Sequence, residues 1–274
     1  MSAADSAGAD FAGADFVGQG VIVTGGTRGI GAGIARAFLR AGAQVLVCGR
    51  TEPADSLLPA TGGRTAAFAR ADVRDPEQAQ RLVRTAVNLF GRVDVLVSNA
   101  GGSPAADAAT ASPRFHAKIV ELNLIAPLHI AQSANAVMQN QAGGGSIIMI
   151  GSVSGTRPSP GTAAYGAAKA GLHHLVTSLA VEWAPKVRVN CVVPSLVVTE
   201  SAAMHHGGEA GLAAIAGTVP LQRIATPEDV AGACLFLASP LASYASGAAL
   251  LLHGGGERPA FLAALDRSVY PPNE

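Results

Sequence analysis

The sequence predicts an α/β fold: one doubly wound domain in which a parallel sheet carries helices on both faces. Three observations predict it. Short apolar runs recur at about Val21–Val23, Gln44–Cys48, Thr65–Ala69, Val93–Ser98, Ser146–Ile150, Val187–Val193 and Ala248–Leu252. They are continuously apolar rather than alternating, as strands covered on both faces are. Segments of helical length separate most of them, which parallel strands need for their crossovers. No break in composition falls between Gly20 and Gly256, so the body reads as one domain, about 18–256.

The elements follow in order. Residues 1–17 are rich in Ala, Gly and Asp, hold a tandem AGADF ending at Phe11 and Phe16, and read as a mostly disordered tail whose Phe11 and Phe16 could dock on the body. The first strand runs into the glycine-rich turn Thr24–Gly31 and a helix to about Ala41. Asp75-Pro76 opens a helix as N-cap and first helical residue, and Phe90-Gly91 ends it. Asn99-Ala100-Gly101-Gly102 is the turn after the fourth strand, and a helix spans about Phe115–Asn140. A long Ala-rich helix covers Thr162–Trp183, and Pro194 stops the sixth strand. The segment of about 196–218 follows at the ligand edge of such a sheet, where a lid would lie. Thr226-Pro-Glu-Asp caps a helix to about Ala238, three glycines at 254–256 close the last strand, and 257–274 is an extension with Phe261, Leu262 and Leu265 at helical spacing.

Composition excludes several classes. Nineteen basic residues balance nineteen acidic ones, so there is no electrostatic case for nucleic acid or an anionic membrane. No apolar run reaches the roughly 18–20 residues that span a bilayer. Cys48, Cys191 and Cys234 lie scattered in apolar segments without CxxC spacing, which fits free thiols in a reducing cytoplasm. The seven histidines make no HxxxH or HExxH, and the neighbours His173 and His174 point different ways on a helix, so no metal site is expected. His205 and His206 fall in the expected lid. No GxSxG elbow supports a Ser–His–Asp hydrolase.

Two motifs carry chemistry. Gly25, Gly29 and Gly31 stand between a strand and a helix, where a phosphate needs close backbone approach and the helix offers unpaired N–H groups. The second strand ends at Gly49-Arg50 without a carboxylate. Arg50 and Arg28 therefore favour the extra phosphate of NADP(H), with NAD(H) the other option because Glu52 is near. Downstream, Tyr165 and Lys169 are one helical turn apart and share a face. A free phenol has a pKa of about 10, and a neighbouring ammonium is expected to lower it. Ser152, at the end of the fifth strand, completes a hydroxyl–phenol–amine group.

These motifs, taken with Asp72-Val73, Asn99-Ala100-Gly101, Asn123 and the Pro194–Thr199 segment, resemble the short-chain dehydrogenase/reductase family over about Gly20–Gly256. The resemblance implies a Rossmann-type, seven-stranded sheet of order 3-2-1-4-5-6-7. It implies an NAD(P)(H)-dependent oxidoreductase acting on a carbonyl or secondary alcohol, NADP(H) preferred, and a homotetramer paired through the helices Phe115–Asn140 and Thr162–Trp183. Tyr165 would be the general acid/base, Ser152 would polarise the substrate oxygen, Lys169 would tune the phenol and bind the nicotinamide ribose, and Asn123 would kink its helix and hold a water of the proton relay. Gly25, Thr27, Arg28, Gly29, Ile30 and Gly31 would cradle the phosphates. Asp72 and Val73 would meet the adenine. Asn99, Ala100 and Gly101 would border the ribose and join the central strands, and Val197 and Thr199 would hold the carboxamide.

The chain departs from the family at Ser195, where Gly usually follows the Pro, and at His253, where Asp is common. If Ser195 needed positive φ it would cost on the order of 1 kcal/mol. A non-catalytic, dinucleotide-binding regulatory relative is the alternative that Ser195 supports and the intact Asn123, Ser152, Tyr165 and Lys169 set opposes. The lid segment is mostly small and apolar, which points to a neutral or modestly apolar carbonyl compound: a 3-oxoacyl thioester, a steroid-like ketone or a cyclic alcohol.

Overall fold

The computed structural model describes residues 15–54, 57–199 and 208–257. Seven parallel strands form the sheet: β1 (Gly20–Thr24), β2 (Gln44–Gly49), β3 (Ala67–Arg70), β4 (Val95–Ser98), β5 (Gly145–Ile150), β6 (Val187–Pro194) and β7 (Ala249–Leu252). Their order is β3-β2-β1-β4-β5-β6-β7, which matches the expected topology. Because β2 and β4 flank β1, the chain reverses direction across the sheet beside β1, and a crevice opens there at the C-terminal strand ends. A small hairpin, Ala60–Thr61 with Arg64–Thr65, precedes β3. It takes up the start of the run read from sequence as the third strand.

The continuous apolar strands divide their side chains between two cores. Ile22, Leu46, Leu96, Ile147 and Val189 face α2 (Pro76–Phe90), α4 (Ala126–Met138) and α5 (Ala163–Glu182). Val23, Val47, Val97, Ile148 and Val192 face α1 (Gly29–Arg40) and α7 (Pro227–Ala238). Alternation at period two therefore serves two buried faces instead of one.

The caps work as their residues dictate. Asp75 accepts from the Glu77 and Gln78 N–H groups, Pro76 occupies the first turn, and Gly91 closes α2 with φ of 76°. At α7, Thr226 and Asp229 form a reciprocal capping box. The helix expected over Phe115–Asn140 runs as α3 (Pro113–Val120), a π turn at Glu121–Ile125, and α4. The kink that the resemblance attaches to Asn123 takes the form of this π turn, which the apolar pattern alone does not reveal because it is left almost unchanged.

Two expectations change. Phe16 is buried, its ring 5.0 Å edge-to-face from Phe38, and its N–H donates to the Ala41 carbonyl at 2.9 Å. The packed body therefore begins before residue 18. Ser195 carries no left-handed strain: among the described residues Gln222 is the one non-glycine position with positive φ. The Ser195 N–H simply extends the sheet to the Leu252 carbonyl at 2.9 Å. Within the expected lid, α6 spans Gly208–Thr218 and Val198 N–H bonds the Ala225 carbonyl. His205, His206 and the extension bearing Phe261, Leu262 and Leu265 lie outside the described residues, as does Phe11.

Candidate active site

Ser152 stands just past β5 and N-caps a short 3-10 turn, Val153–Gly155, its hydroxyl accepting from the Ser154 N–H at 3.1 Å. Tyr165 sits in the first turn of α5, with its phenol on the side of Ser152, whose hydroxyl acts to lower the phenol pKa. Lys169 follows one turn later. Its Nζ lies 5.6 Å from the centre of the Tyr165 ring and donates to the Ile150 carbonyl at 2.7 Å.

The electrostatics correct the sequence argument. Burial raises the Tyr165 phenol above its ordinary value, and the nearby Ser152 hydroxyl offsets only part of that. Lys169 is almost fully buried, and desolvation pulls its ammonium down to about 8. The Lys169 charge is thus spent on the strand-end carbonyl and weakened by burial, so it does not bring the phenol down in this arrangement.

Asn123 is fully buried in the π turn. Its Oδ1 accepts from the Gly102 N–H at 2.9 Å, while Nδ2 donates to the Gly102 and Ile119 carbonyls. Gly101 lies between Asn123 and Lys169: a Cβ there would stand 2.8 Å from Asn123 Oδ1 and 3.5 Å from Lys169 Nζ. The π turn thus swings one amide out of the helical ladder to hold the turn after β4.

At the neighbouring strand ends, Asn99 Nδ2 donates to the Thr24 and Gly25 carbonyls, and the Asn99 and Ala100 N–H groups both donate to Thr24 Oγ1. Gly31 is pressed so closely against Gly25 that a Cβ would stand 2.3 Å from its carbonyl oxygen. Thr199 lies over Gly29, 3.3 Å from where a Cβ would be. Val197 bridges Ala225.

Comparison with known proteins fits this architecture. A family model described as enoyl-(acyl carrier protein) reductase matches residues 25–257. An L-rhamnose 1-dehydrogenase (NAD(P)(+)) of Azotobacter vinelandii is 36% identical over 245 residues, 86% of this chain and 95% of that one. Human dehydrogenase/reductase SDR family member 4 is 34% identical over 239 residues, 85% and 86% of the two chains. The chain belongs to the short-chain dehydrogenase/reductase family. A solved structure of ligand-free Thermoplasma acidophilum aldohexose dehydrogenase superimposes with a TM-score of 0.79 at 29% identity, covering 88% and 93% of the two chains. The protein is accordingly an NAD(P)(H)-dependent oxidoreductase that interconverts carbonyl and alcohol groups.

The residues of this short-chain dehydrogenase/reductase fit a dinucleotide. The N-terminus of α1 has no side-chain cap at Arg28 and no acidic residue in its first turn, so its N–H groups face the glycine turn of Gly25, Thr27, Gly29, Ile30 and Gly31. Arg28 and Arg50 are exposed and make no ion pair among the described residues, although Arg50 helps to lower the Asp72 carboxyl. Asp72 is less open than the sequence suggests. Arg74 grips it through Nε at 2.9 Å and through a second, terminal nitrogen, and holds its carboxyl below the usual range. Val73 beside it is buried in the core.

Sequence reasoning gathered the four catalytic candidates but missed their supports. Thr24, Arg74 and His173 were passed over. For His173 a signal existed: it continues the Tyr165, Lys169 spacing by one more turn of α5.

Proposed function

We propose a reductase or dehydrogenase that prefers NADP(H) and acts on a small neutral carbonyl or cyclic secondary alcohol. The observation that carries this reading is the gathering, at the end of β5, of the Ser152 hydroxyl, the Tyr165 phenol and a buried Lys169 whose Nζ lies 5.6 Å from the centre of the Tyr165 ring. Two neighbouring hydroxyls can hold one substrate oxygen between them. In reduction Ser152 donates to the carbonyl oxygen as negative charge builds there, and the Tyr165 O–H delivers its proton. In oxidation the proton returns to Tyr165. Bound nicotinamide supplies or accepts the hydride at the substrate carbon. Lys169 and Asn123 hold the floor of the site through Ile150, Gly102 and Ile119, and Lys169 would also hold the ribose of a bound cofactor.

The NADP(H) preference rests on Arg28 and Arg50, two exposed cations at a strand end without a carboxylate. Neutral substrate chemistry is supported by the mostly small, apolar segment that follows β6; the cavity of about 290 Å³ beside it is walled by Ser195, Leu196, Ile215, Val219, Leu221 and Leu252 and by none of Asn123, Ser152, Tyr165 or Lys169. Its charged residues are already paired, Arg157 with Glu257 at 2.6 Å and Arg223 with Asp229. Two of the relatives are named for sugars, which favours a ring-borne hydroxyl over a long acyl chain.

We also read the protein as a cytoplasmic homotetramer. Its three cysteines are buried and free, and Val181 on α5 and Ile125 in the π turn are apolar side chains left exposed on the expected pairing helices. Among the described residues no helix is long and apolar enough to cross a membrane.

The test is a panel of aldohexoses, cyclic ketones and alcohols, and a 3-oxoacyl thioester, each run with both phosphorylated and unphosphorylated cofactor. Wild type is expected to turn over a ring substrate faster with NADP(H). Tyr165→Phe should bind NADPH, read by its fluorescence, without turning substrate over. A Tyr165→Phe variant that keeps its rate would remove the phenol from the reaction.

A further inference from the structure

The imidazole of His173 lies beneath the turn that carries Ser152. Four residues beyond Lys169 and eight beyond Tyr165, it continues their line along α5. Gly151 and Gly155 bracket the turn, and both rest on this ring. A Cβ on Gly151 would stand 2.4 Å from His173 Nε2, and one on Gly155 would stand 2.9 Å from Cε1. Between them the Ser152 N–H points at Nε2 across 3.5 Å, a long hydrogen bond. The turn's other ties are local or run to β6: Gly151 N–H to the Val192 carbonyl, and Ser154 N–H to the Ser152 hydroxyl.

We propose that His173 is a positioning residue for the reaction: its neutral imidazole, protonated on Nδ1, accepts from the Ser152 N–H through Nε2 and sets the angle at which the Ser152 hydroxyl meets Tyr165. The inference rests on Ser152 and Tyr165 facing the substrate, as argued above. The tautomer matters because an N–H on Nε2 would confront the Ser152 N–H, donor against donor. The surroundings keep that nitrogen bare. Burial, then the Lys169 charge, hold the imidazole below its ordinary range. The groups that face it are Lys169 on its own helix and, across Gly151, Cys191 on β6, a thiol that burial pushes up to about 12 and so keeps neutral. The Gly151–Gly155 turn carries no titratable side chain.

Three measurements test the proposal. Long-range nitrogen–proton spectra of histidine-labelled protein should show His173 as the Nδ1–H tautomer at neutral pH; the Nε2–H tautomer would overturn it without reference to any substrate. Next, kcat is compared for His173→Leu and His173→Gln on the panel substrate turned over fastest. Leu has no acceptor and should lower kcat on the order of 10- to 100-fold, with KM and NADPH affinity nearly unchanged, because sub-ångström misplacement of a reacting group costs that much. Gln returns an acceptor to the same place, so it should recover part of the loss and remove any acid limb in the rate that wild type shows. Equal losses in Leu and Gln, with NADPH binding impaired, would mean that the ring only fills space.

The last comparison uses Ser152→Ala. If His173 acts through Ser152, adding His173→Leu to Ser152→Ala should cost little more. Full additivity overturns the proposal. A Ser152→Ala variant that is itself fully active points instead to failure of the reading of Ser152, so the two outcomes are separable.

Discussion

Lys169 Nζ donates a 2.7 Å hydrogen bond to the carbonyl of Ile150, the last residue of β5 and the second before Ser152. The ammonium is therefore anchored to the strand that carries the active hydroxyl, and it lies beside the Tyr165 ring rather than in contact with its oxygen. The arrangement stores an electrostatic cost. A buried base whose ammonium falls from its ordinary value of 10.5 to about 8 is held charged at neutral pH only at the expense of folding stability.

That cost has a defined pH window. Below pH 8 both folded and unfolded chains carry the proton, and the folded state bears the full desolvation cost. Between about 8 and 10.5 the unfolded chain binds the proton and the folded chain does not, so stability rises with pH. Relative to Lys169→Met, wild type should therefore gain about 1.4 kcal/mol per pH unit across that window, on the order of 3 kcal/mol in all. Urea unfolding of both proteins at several pH values checks this. A difference that stays flat would mean that the ammonium is solvated.

Tyr165 gives a second pH signature. Burial raises its phenol, so it keeps its proton throughout the neutral range. Reduction, which needs the phenol as donor, should keep a level kcat/KM from neutrality to beyond pH 10. Oxidation, which needs the phenolate as acceptor, should climb with pH over the same interval. Tyr165→Phe should lose about 10²- to 10⁴-fold in both directions. Rate profiles measured both ways decide it: a reductive rate already falling near pH 7 would place the ionisation far lower than burial allows.

The fold was legible because its signals are local. Continuous Val and Ile runs, the Asp75-Pro76 and Thr226-Pro227 starts and the glycine turn each fix an element without reference to the rest of the chain. Tyr165 and Lys169 were legible because helical spacing puts them on one face. What escaped depends on packing between distant segments. Nothing near Lys169 in sequence announces the Ile150 carbonyl, and nothing near Asp72 says that Arg74 will fold back on it and not reach into solvent. The resemblance marked Asn123 as a residue that kinks its helix, but nothing near it in sequence names Gly102 as the partner its amide holds. Phe16 could be read as an aromatic able to dock, but nothing near it in sequence names Phe38 as the ring it packs against.

Asn123 is the place where that hidden packing can be measured. Its Nδ2 is the partner of the Ile119 carbonyl, and it links the π turn to Gly102. Asn123→Ala should destabilise the chain by about 1–3 kcal/mol, mostly through the buried carbonyl, since exposed Gly102 can turn to water. Chemical unfolding gives the number. A loss below about 0.5 kcal/mol would mean that the helix simply closes over the gap, with regular hydrogen bonds replacing the amide.

At the start of α7, Asp229 accepts from Arg223 at 2.6 and 2.8 Å and from the Thr226 N–H, closing the capping box next to the segment that follows α6. The Arg223 hydrogen bonds chiefly lower its carboxyl from 3.8 to about 2. A depressed acid stabilises the fold above its unfolded pKa, and that contribution fades as pH falls from about 4 toward 2. Asp229→Asn should therefore cost about 1–2 kcal/mol at pH 7, a figure reduced for the partial exposure of the pair, and progressively less on acidification. Thermal unfolding of the two proteins at pH 7 and at the lowest pH where both still fold tests the convergence. A gap that persists unchanged into acid would assign the loss to the shape of the cap and not to its charge.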